Sequence, residues 1–207
     1  MKRNKPKHIG IIPDGNRRWA QLHGMKKQDG YMYGLQPGVE LLARAKEAGI
    51  KEITYYGFTM DNCKRPREQV VAFRRACVEA VKLIACEGAD LLVLGDETSA
   101  CFPPELLEYR QRKPINGGGI RLNFLVNYGW QWDLSHMRVD GKPYSYDVSR
   151  IDMIIRWGGM RRLSGFLPIQ SVYSDIYVEN KLWPDFSGED FRRALEWYEK
   201  QDVTLGG

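Results

Sequence analysis

The sequence lacks the features that mark several large classes of protein. No apolar run approaches the ~20 residues of a membrane span, and the opening MKRNKPKH has no apolar stretch like that of a signal peptide. There is no N-x-S/T acceptor for glycosylation, and the 4 cysteines (Cys63, Cys77, Cys86 and Cys101) form no CxxC pair. We therefore expect reduced thiols in a cytoplasmic protein, with neither a zinc site nor a disulfide framework.

Charge of one sign is in only small excess. The chain has 31 lysines and arginines against 26 acidic residues, which gives a net charge of +5. This charge is compatible with nucleic acid, an anionic membrane surface or a small phosphate-bearing substrate, and it does not distinguish them. With 207 residues, 43% of them hydrophobic, and no repeat or linker, the chain is expected to form a single domain over residues 1–207.

Short apolar runs alternate with stretches of helical spacing. The apolar runs predict strands at residues 8–13, 53–58, 89–95, 120–127 and 152–156. Helices are predicted at residues 37–48 and 66–87, each opening on a proline, and a capping box of Ser187 and Asp190 predicts a final helix through residue 200. The alternation predicts an α/β fold with a central, mainly parallel sheet flanked by helices. Residues 21–33, a candidate lid, and residues 135–149 are expected to be irregular.

The first candidate site follows the first predicted strand. The segment GIIPDGNRRW, residues 10–19, places a glycine, two arginines and Asp14 where a parallel sheet binds ligands. The glycine lets backbone amides approach a phosphate, the arginines can grip it, and a carboxylate beside a phosphate needs a bridging cation such as Mg²⁺. Alone, Asp-Gly-Asn is more often an ordinary turn. Asn16-Arg17 stands where a P-loop has Lys-Ser/Thr, which argues against a nucleotide-binding P-loop.

Two more loops after predicted strands carry similar groups. FTMDNCKRP, residues 58–66, offers polar groups at a helix start, although an ordinary capped loop fits it equally well. RWGGMRRLS, residues 156–164, surrounds paired glycines with three arginines, which makes it a candidate oxyanion nest. Asp175 is either a metal ligand or an exposed acid at a helix end. Together the three loops predict a site for two diphosphate-like groups and one metal.

These motifs, in this order, resemble those of the cis-prenyltransferases, the family of undecaprenyl and dehydrodolichyl diphosphate synthases. HIGIIPDGNRRWA is similar to the amino-terminal signature, YYGFTMDNCKRP to F-S-x-E-N-W-x-R-P, and LNFLVNYGWQWDL to the N-Y-G-x-R-x-D strand. RWGGMRRLSGFLPIQSVYSDIYVENKLWPDF follows the long pattern that starts R-T-G-G-E-x-R-L-S and ends W-P-D-F. The resemblance extends from residue 8 to about residue 186, nearly the whole chain.

The resemblance implies a fold and a reaction. The family's sheet and helices enclose a hydrophobic tunnel, usually in a homodimer, with the helix at residues 66–87 as a candidate tunnel wall. The implied enzyme, a cis-prenyltransferase, condenses an allylic diphosphate with isopentenyl diphosphate by cis addition, with Mg²⁺ assisting diphosphate departure. A lipid product would allow a peripheral membrane contact, and no nucleic-acid partner is expected, because arginines beside glycines at strand ends fit small anions better.

The resemblance also implies roles for individual residues. Asp14 would be catalytic and bind Mg²⁺, Asn62 would be the catalytic proton-handling residue, and Asp175 would complete the metal site from the partner subunit. The residues implied to surround the allylic diphosphate or to contact a diphosphate are Gly15, Asn16, Arg17, Arg18, Trp19 and Arg65. Those implied to grip isopentenyl diphosphate are Arg156, Arg162 and Ser164, and Thr59, Met60, Asp61, Cys63 and Leu163 complete the implied substrate-binding set.

Several residues depart from the family pattern. The replacements are Leu35 for His, Asp61 for Glu, Cys63 for Trp, Trp157 for Thr, Met160 for Glu, Gly165 for Asn and Asp175 for Glu, and residues 204–207 stand where many members have R-x-G. Because several replacements cluster on the isopentenyl side, the alternative is an atypical prenyltransferase with a different second substrate or a non-head-to-tail condensation. A non-catalytic subunit of a heteromeric prenyltransferase is disfavoured, since Asp14 and the phosphate-matched arginines are present. The absence of any Asp-Asp pair argues against the all-helical prenyl synthases.

Overall fold

The computed structural model describes residues 5–202, and the replacement noted at residues 204–207 lies outside that range. Its strands are β1 (His8–Ile12), β2 (Glu52–Thr59), β3 (Ala89–Leu94), β4 (Lys113–Ile115), β5 (Ile120–Tyr128), β6 (Met153–Arg156) and β7 (Asp175–Val178). They form one sheet in the order β4-β3-β5-β2-β1-β6-β7. Every neighbouring pair is parallel except β3 with β4. The prediction of a central, mainly parallel sheet is confirmed.

The helices of the described chain are α1 (Asn16–Leu22), α2 (Gly30–Tyr33), α3 (Leu35–Glu47), α4 (Arg67–Ala85), α5 (Trp130–Ser135) and α6 (Gly188–Glu199). The two predicted helices correspond to α3 and α4 within two residues at each end. The predicted capping box opens α6, where the Ser187 side chain accepts a hydrogen bond from the Asp190 amide and the Asp190 side chain accepts one from Ser187. Gly49, at φ 81°, follows the end of α3, because a left-handed residue stops the helix.

Two expectations about local structure need correction, and a third is confirmed in the main. Residues 21–33 are not irregular throughout, because α1 reaches Leu22 and α2 occupies the end of the segment. Asp175 is not an acid at a helix end, because it begins the edge strand β7. Residues 135–149 are irregular apart from a 3₁₀ turn at Tyr144–Asp147. The short elements β4 and α5 lie outside every predicted strand and helix.

The sheet buries both of its faces, as the apolar strands predict. Alternate residues of β1 show the division: Ile9 and Ile11 belong to the core beneath α3, α4 and α6, while Ile12 belongs to the core on the opposite face. Gly10 also points to that second face, where a Cβ would lie 2.6 Å from the Phe166 ring. A larger residue at this position would therefore displace a fully buried aromatic side chain.

A polar network fills the amino-terminal edge of the sheet. His8 contacts the Thr54 hydroxyl at 2.8 Å, Asn123 donates to Glu52 at 2.7 Å, and the Ser149 hydroxyl donates to Glu52 at 2.8 Å. Burial lowers the pKa of His8 below its ordinary value. Burial alone would raise the pKa of Glu52, but His8 and the two donated hydrogen bonds outweigh it and lower that pKa. The amino-terminal ends of these strands are therefore occupied by structural contacts, and the carboxyl ends are open to ligands.

The strand order places the predicted motifs side by side. The chain passes from β1 to β2 on one side and later returns to β6 on the other, so β1 lies between them. Ligand crevices in open parallel sheets lie beyond the carboxyl ends of the strands where the order reverses. Among the described residues, no helix is both long and apolar enough to cross a bilayer.

Candidate functional site

The loops that follow β1, β2 and β6 line one pocket of about 490 Å³. We call it the arginine pocket, because Arg17, Arg18, Arg65, Arg156 and Arg162 all line it. The other predicted site residues in its lining are Asp14, Gly15, Asn16, Thr59, Asp61, Asn62 and Ser164. Twelve of the predicted residues thus share one pocket, although the motifs are up to about 140 residues apart in the sequence.

Asp14 is the central acid of the arginine pocket. Its Oδ2 accepts a hydrogen bond from Arg156 Nη2 at 2.8 Å, and its Oδ1 lies 3.4 Å from Arg18 Nη2. Its carboxylate is one-third exposed, whereas the Arg156 side chain is only 4% exposed. Arg156, which is almost fully buried at the base of the pocket, therefore holds Asp14 in place, and part of the carboxylate stays exposed to the pocket.

The second arm of Arg156 organises the loop after β6. Its Nη1 donates to the Arg162 carbonyl and, at 3.2 Å, to the Ser164 hydroxyl. Ser164 has φ 54°, an unusual left-handed conformation for a residue with a side chain. Such a conformation persists only where the surrounding structure holds it in place. The two hydrogen bonds from Arg156 Nη1 contribute to this.

Gly158 lets this loop approach the loop after β1. It has φ 83°, and a Cβ here would lie 2.4 Å from Arg18 Nη2 and 3.0 Å from the Asp14 carbonyl oxygen. Its amide, however, donates to the Lys181 carbonyl, and the amide of Gly159 donates to the Glu179 carbonyl. The two glycine amides therefore cannot contribute to the oxyanion nest expected of residues 156–164, because both are bonded away from the pocket.

The start of α1 supplies donors on the opposite wall. Gly15 adopts φ 114° as the N-cap residue, and the first turn of the helix contains no acidic side chain. First-turn amides have no partner within a helix, so those of Asn16 and Arg17 can face an anion. A Cβ on Gly15 would lie 2.8 Å from Leu182, so the position requires glycine for space as well as conformation.

The third wall is the turn after β2, a 3₁₀ helix at Met60–Lys64. Asn62 donates to the Thr59 hydroxyl, which orients its amide at the pocket. Tyr56 donates from its phenol to the Ser164 carbonyl at 2.8 Å. Burial, with a smaller effect of Asp61, raises the pKa of Tyr56, so this phenol remains a neutral donor at physiological pH.

Four predicted substrate-binding residues lie outside the pocket lining. Trp19 donates to the Asp185 carboxylate at 2.6 Å and stacks on His23. Met60 and Leu163 pack against the core on the face of Phe166. Cys63 is also absent from the pocket lining, and its sulfur is in contact with that of Cys101. Trp19, Met60 and Leu163 thus support the walls in the free chain, and their roles toward substrate stay predictions.

Two of the cysteines lie in contact. The sulfur atoms of Cys63 and Cys101 touch, and their Cα atoms are 6.2 Å apart, so the expectation of reduced thiols stays a prediction for this pair. Cys77 is buried, which raises its pKa to about 12, and Cys86 is exposed. The contact links the turn that carries Asn62 to the segment that follows β3.

Asp175 does not join Asp14 within one chain. It pairs with Met153 at the start of β6, while Arg156 pairs with both Val178 and Ile12. Three residues of strand, about 10 Å, therefore separate Asp175 from the edge that carries Asp14. Its predicted contribution from a partner subunit stays a prediction.

The pocket fits one kind of magnesium site. Within residues 5–202, no group of three His, Cys, Asp or Glu side chains could hold a metal ion unaided. Mg²⁺ at phosphate sites, however, is commonly bound by one or two carboxylates together with phosphate oxygens and water. Asp14, one-third exposed beside an arginine-lined pocket, is a donor of this type.

The replaced family residues fall into two groups. Met160 lines the arginine pocket, and its sulfur lies 3.6 Å from Arg162 Nη1. Trp157, by contrast, is fully buried and packs edge-on against Trp183, and a Cβ on Gly165 would lie 2.6 Å from Trp130. Of these three replacements, only Met160 changes the chemistry of the pocket surface.

Several pocket residues were not among the sequence predictions. Tyr31 and Tyr56 line the pocket, and Tyr31 accepts a hydrogen bond from Arg65 at 3.1 Å. Phe73, which also lines it, lies in the helix predicted as a tunnel wall. Tyr56 stands three residues before Thr59 in the motif YYGFTM, so its position was available from the motif. Tyr31 lies in the segment expected to be irregular, and nothing local in the sequence indicates its burial.

A small apolar cavity lies behind the arginine pocket, where the resemblance implies a hydrophobic tunnel. A cavity of about 80 Å³, which we call the apolar cavity, lies between the sheet, α3 and α4. Pro13, Asn16, Tyr31, Gly57 and Phe73 line both it and the arginine pocket. Leu35 lines this cavity and not the arginine pocket.

Comparison with known sequences agrees with these motifs. A family model described as "Putative undecaprenyl diphosphate synthase" matches residues 12–206. A farnesyl-diphosphate-specific ditrans,polycis-undecaprenyl-diphosphate synthase of Pasteurella multocida is 30% identical over 99% of this chain and 96% of its own. A geranylgeranyl-diphosphate-specific tritrans,polycis-undecaprenyl-diphosphate synthase of Aeropyrum pernix is 32% identical over 98% and 99% of the two chains. An isoprenyl transferase of Thermotoga maritima is also 32% identical, over 98% and 97%.

Comparison with solved structures agrees with the fold. The chain matches a lavandulyl diphosphate synthase from Lavandula x intermedia, solved with dimethylallyl diphosphate, at a TM-score of 0.84. The match covers 98% of this chain and 99% of the other, at 23% identity. The expected sheet-and-helix architecture is therefore confirmed.

Proposed function

The chain belongs to the undecaprenyl diphosphate synthase family of cis-prenyltransferases, and we propose that it condenses an allylic diphosphate with isopentenyl diphosphate. In this reaction the allylic C–O bond breaks and diphosphate leaves. The allylic carbon joins the terminal alkene carbon of isopentenyl diphosphate, and a proton leaves the adjacent methylene. The observation that carries the proposal is the convergence of five arginines and Asp14 on one pocket beside an apolar cavity.

The allylic diphosphate is proposed to bind at the start of α1. Arg17, Arg18 and Arg65 line this side of the pocket, and first-turn amides add donors. Guanidinium groups stabilise the negative charge that grows on the departing diphosphate, which lowers the barrier to ionisation. The neighbouring apolar wall excludes water from the cation-like carbon.

The acceptor diphosphate is proposed to bind at the loop after β6. Arg162 and Ser164 are exposed there, while Arg156 is committed to Asp14 and to the loop backbone. Arg156 therefore acts mainly by positioning these groups. Asn62 lies on the wall formed by the turn after β2 and is proposed to handle the proton lost from the acceptor.

Magnesium and a second subunit complete the proposal. Asp14 would hold Mg²⁺ together with phosphate oxygens, and Asp175 of the partner subunit is proposed as the second protein ligand. When bound there, Mg²⁺ would neutralise part of the charge on the departing diphosphate. We further propose a homodimer that works in the cytoplasm and contacts membranes only through its lipid product.

One observation favours a second candidate function. Met160 places a thioether, where the family has a carboxylate, on the acceptor side of the pocket. A different second substrate, or a non-head-to-tail condensation, is compatible with that change. Products made from allylic diphosphates alone would support this second candidate.

The test uses the purified chain with Mg²⁺ and allylic diphosphates of increasing length, with and without isopentenyl diphosphate. Released pyrophosphate measures turnover, and mass analysis identifies products. Asp14→Asn should lower turnover at least 100-fold, as the loss of a group that acts in the transition state. The control is Asp29→Asn, since Asp29 is exposed, makes no capping bond and lies outside the arginine pocket.

Two results would contradict the proposal. Unchanged turnover in Asp14→Asn would remove Asp14 from the mechanism. No condensation with any pair of substrates would instead favour the non-catalytic subunit of a heteromeric prenyltransferase. That reading is otherwise disfavoured by the intact set of arginines around Asp14.

A further inference from the structure

Two cysteines lie in contact on different loops beyond the carboxyl ends of β2 and β3. Cys63 belongs to the 3₁₀ turn after β2, and Cys101 belongs to the segment between β3 and β4. Their sulfur atoms touch, and their Cα atoms are 6.2 Å apart, within the usual range for a disulfide of about 4.4–6.8 Å. The other two cysteines, Cys77 and Cys86, are free. Of the four cysteines, this pair is therefore the one placed to react within the chain.

The turn that carries Cys63 also carries groups of the arginine pocket. Asp61 and Asn62 line that pocket, and so does Arg65, which follows the turn directly. None of the residues Met60–Lys64 is buried, and no side chain caps the turn with a hydrogen bond. Segments with few buried contacts open more readily than the core. The position of Asn62 therefore depends on what holds this turn.

The segment that carries Cys101 is firmly anchored. The next residue, Phe102, is buried in the core beneath α3, α4 and α6, and so is Leu106. The amide of Cys101 donates to the Ser99 hydroxyl at 3.2 Å, and the amide of Phe102 donates to the Ser99 carbonyl at 3.0 Å. A bond from Cys63 to Cys101 would therefore join a weakly held turn to a segment fixed in the core.

The reduced form of Cys63 also has a partner. Its sulfur donates to Asn127 Oδ1 at 3.1 Å, and Asn127 in turn donates to the Asp96 carbonyl at 2.9 Å. Asn127 lies near the end of β5, the strand between β2 and β3. The site therefore accommodates Cys63 both as a thiol and as half of a disulfide.

We propose that Cys63 and Cys101 form a reversible redox site that controls how firmly the turn carrying Asn62 is held. The oxidant is a low-molecular-weight disulfide. The thiolate of one cysteine attacks it and releases one small thiol, and the second cysteine then displaces the other small thiol. One S–S bond breaks in the oxidant, one forms in the protein, and the two cysteine protons end on the two released thiols.

Two observations make the site particular to this chain. The family pattern has tryptophan where Cys63 stands, so the pattern itself provides no such pair. In the cytoplasm, where we propose that this chain works, disulfides are usually transient and often redox-sensing. A pair that can be oxidised and reduced again fits that setting better than a permanent structural bond.

The inference rests on the proposed prenyltransferase function and adds a control of the same site. With the two sulfur atoms in contact, Asn62 and Arg65 already line the pocket. The disulfide would fix this arrangement, whereas reduction leaves the turn with noncovalent contacts only. Because a displacement of about 1 Å in a catalytic group can cost on the order of 100-fold in rate, the oxidised form should turn over faster.

The test compares the full chain after equilibration with reduced or oxidised glutathione. Oxidation should link the peptides that contain Cys63 and Cys101, as seen by mass spectrometry of a non-reduced digest. It should raise turnover, measured by pyrophosphate release, by about threefold or more. Amide hydrogen exchange over residues 60–65 should slow by about tenfold. Dithiothreitol should reverse all three changes.

Two variants assign the effect to this pair. Cys101→Ser should form no link and should show the turnover of the reduced wild type under both conditions. Cys86→Ser is the matched control and should respond as the wild type does, because Cys86 is exposed and free. A turnover response that persists in Cys101→Ser would assign the effect to another thiol and overturn the inference. Equal or lower turnover in the linked wild type would overturn it as well.

The exchange measurement separates this inference from the proposed function. If no pair of substrates condenses in either redox state, the proposed function fails, while the link and the slower exchange over residues 60–65 still support the redox site. If condensation proceeds but oxidation forms no link and leaves exchange unchanged, the inference fails and the proposed function stands.

Discussion

Replacing Arg156 with lysine tests whether one buried guanidinium organises the arginine pocket. Its Nη2 bonds Asp14 at 2.8 Å, and its Nη1 bonds the Arg162 carbonyl and the Ser164 hydroxyl. A lysine ammonium is a single point and cannot reach partners on both sides, because it lacks the planar fork of arginine. Arg156→Lys therefore keeps the charge but loses one of the two arms.

The size of the effect follows from burial. Each hydrogen bond from a charged group contributes about 1.5–3 kcal/mol. The Arg156 side chain is 4% exposed, but Asp14 is one-third exposed and can regain water, so a net loss of about 2–3 kcal/mol is expected. For a chain of this size that loss corresponds to a fall in Tm of about 4–12 °C. Turnover should fall by about 10- to 100-fold, since Asp14 and Ser164 lose their fixed positions.

The assay combines thermal unfolding by circular dichroism with pyrophosphate release. Arg161→Lys is the matched control, because Arg161 is an exposed arginine of the same loop, and it should behave as wild type in both measurements. A Tm within about 1 °C of wild type together with unchanged turnover in Arg156→Lys would refute the organising role. A lowered Tm with unchanged turnover would limit Arg156 to stability.

Three further predictions concern other parts of the molecule. Urea midpoints should fall as the pH drops below 6.5, because burial lowers the pKa of His8 in the native state and the unfolded chain then binds the proton more readily. Above that pH the contribution of neutral His8 to stability is complete. A midpoint that stays constant between about pH 7.5 and 5.5 would contradict this prediction. Contact between the Cys63 and Cys101 sulfur atoms allows them to form a disulfide under oxidising conditions. Without reductant, Cys101→Ser should therefore lower Tm by about 4–12 °C, whereas Cys86→Ser should not, and equal Tm values would argue against the bond. Gly158→Ala should lower the free energy of unfolding and the turnover more than Gly141→Ala does, as measured by urea unfolding and pyrophosphate release. Both glycines have positive φ, but only Gly158 has atoms within 4 Å of a new Cβ. Equal losses in the two variants would show that φ strain alone matters.

The fold was predictable where local patterns are strong. The apolar runs of β1, β3 and β5 and the periodicity of α3 and α4 each carry their own signal, and parallel order follows from their alternation. The edge strand β7 was missed because none of its four residues is buried and it begins with the charged Asp175, so it lacks the long apolar run of a buried strand. Its pairing with β6 comes from tertiary structure.

The residue types of the candidate site were predictable from the sequence, but their arrangement in space was not. Arginines and glycines after three strands indicated an anion pocket, and they do line one pocket. The pairing of Asp14 with Arg156, 142 residues apart, depends on β1 lying beside β6. Tyr31 is buried where it stacks on Phe73, and the contact between Cys63 and Cys101 spans 38 residues with no spacing that predicts it. Long-range contacts of this kind leave no periodicity in the sequence.

The charge of the pocket links these residues to the proposed metal. Five arginines and two aspartates line it, a formal excess of three positive charges. Two bound diphosphates would bring about five or six negative charges at neutral pH, since the second ionisation of a phosphate is near pH 6. The net charge of the lining, with both aspartates counted, therefore leaves two or three negative charges uncompensated, about the charge of one divalent cation. Asp14 lies between the arginines of both proposed diphosphate sides, so a cation held there, as proposed, would compensate both groups at once.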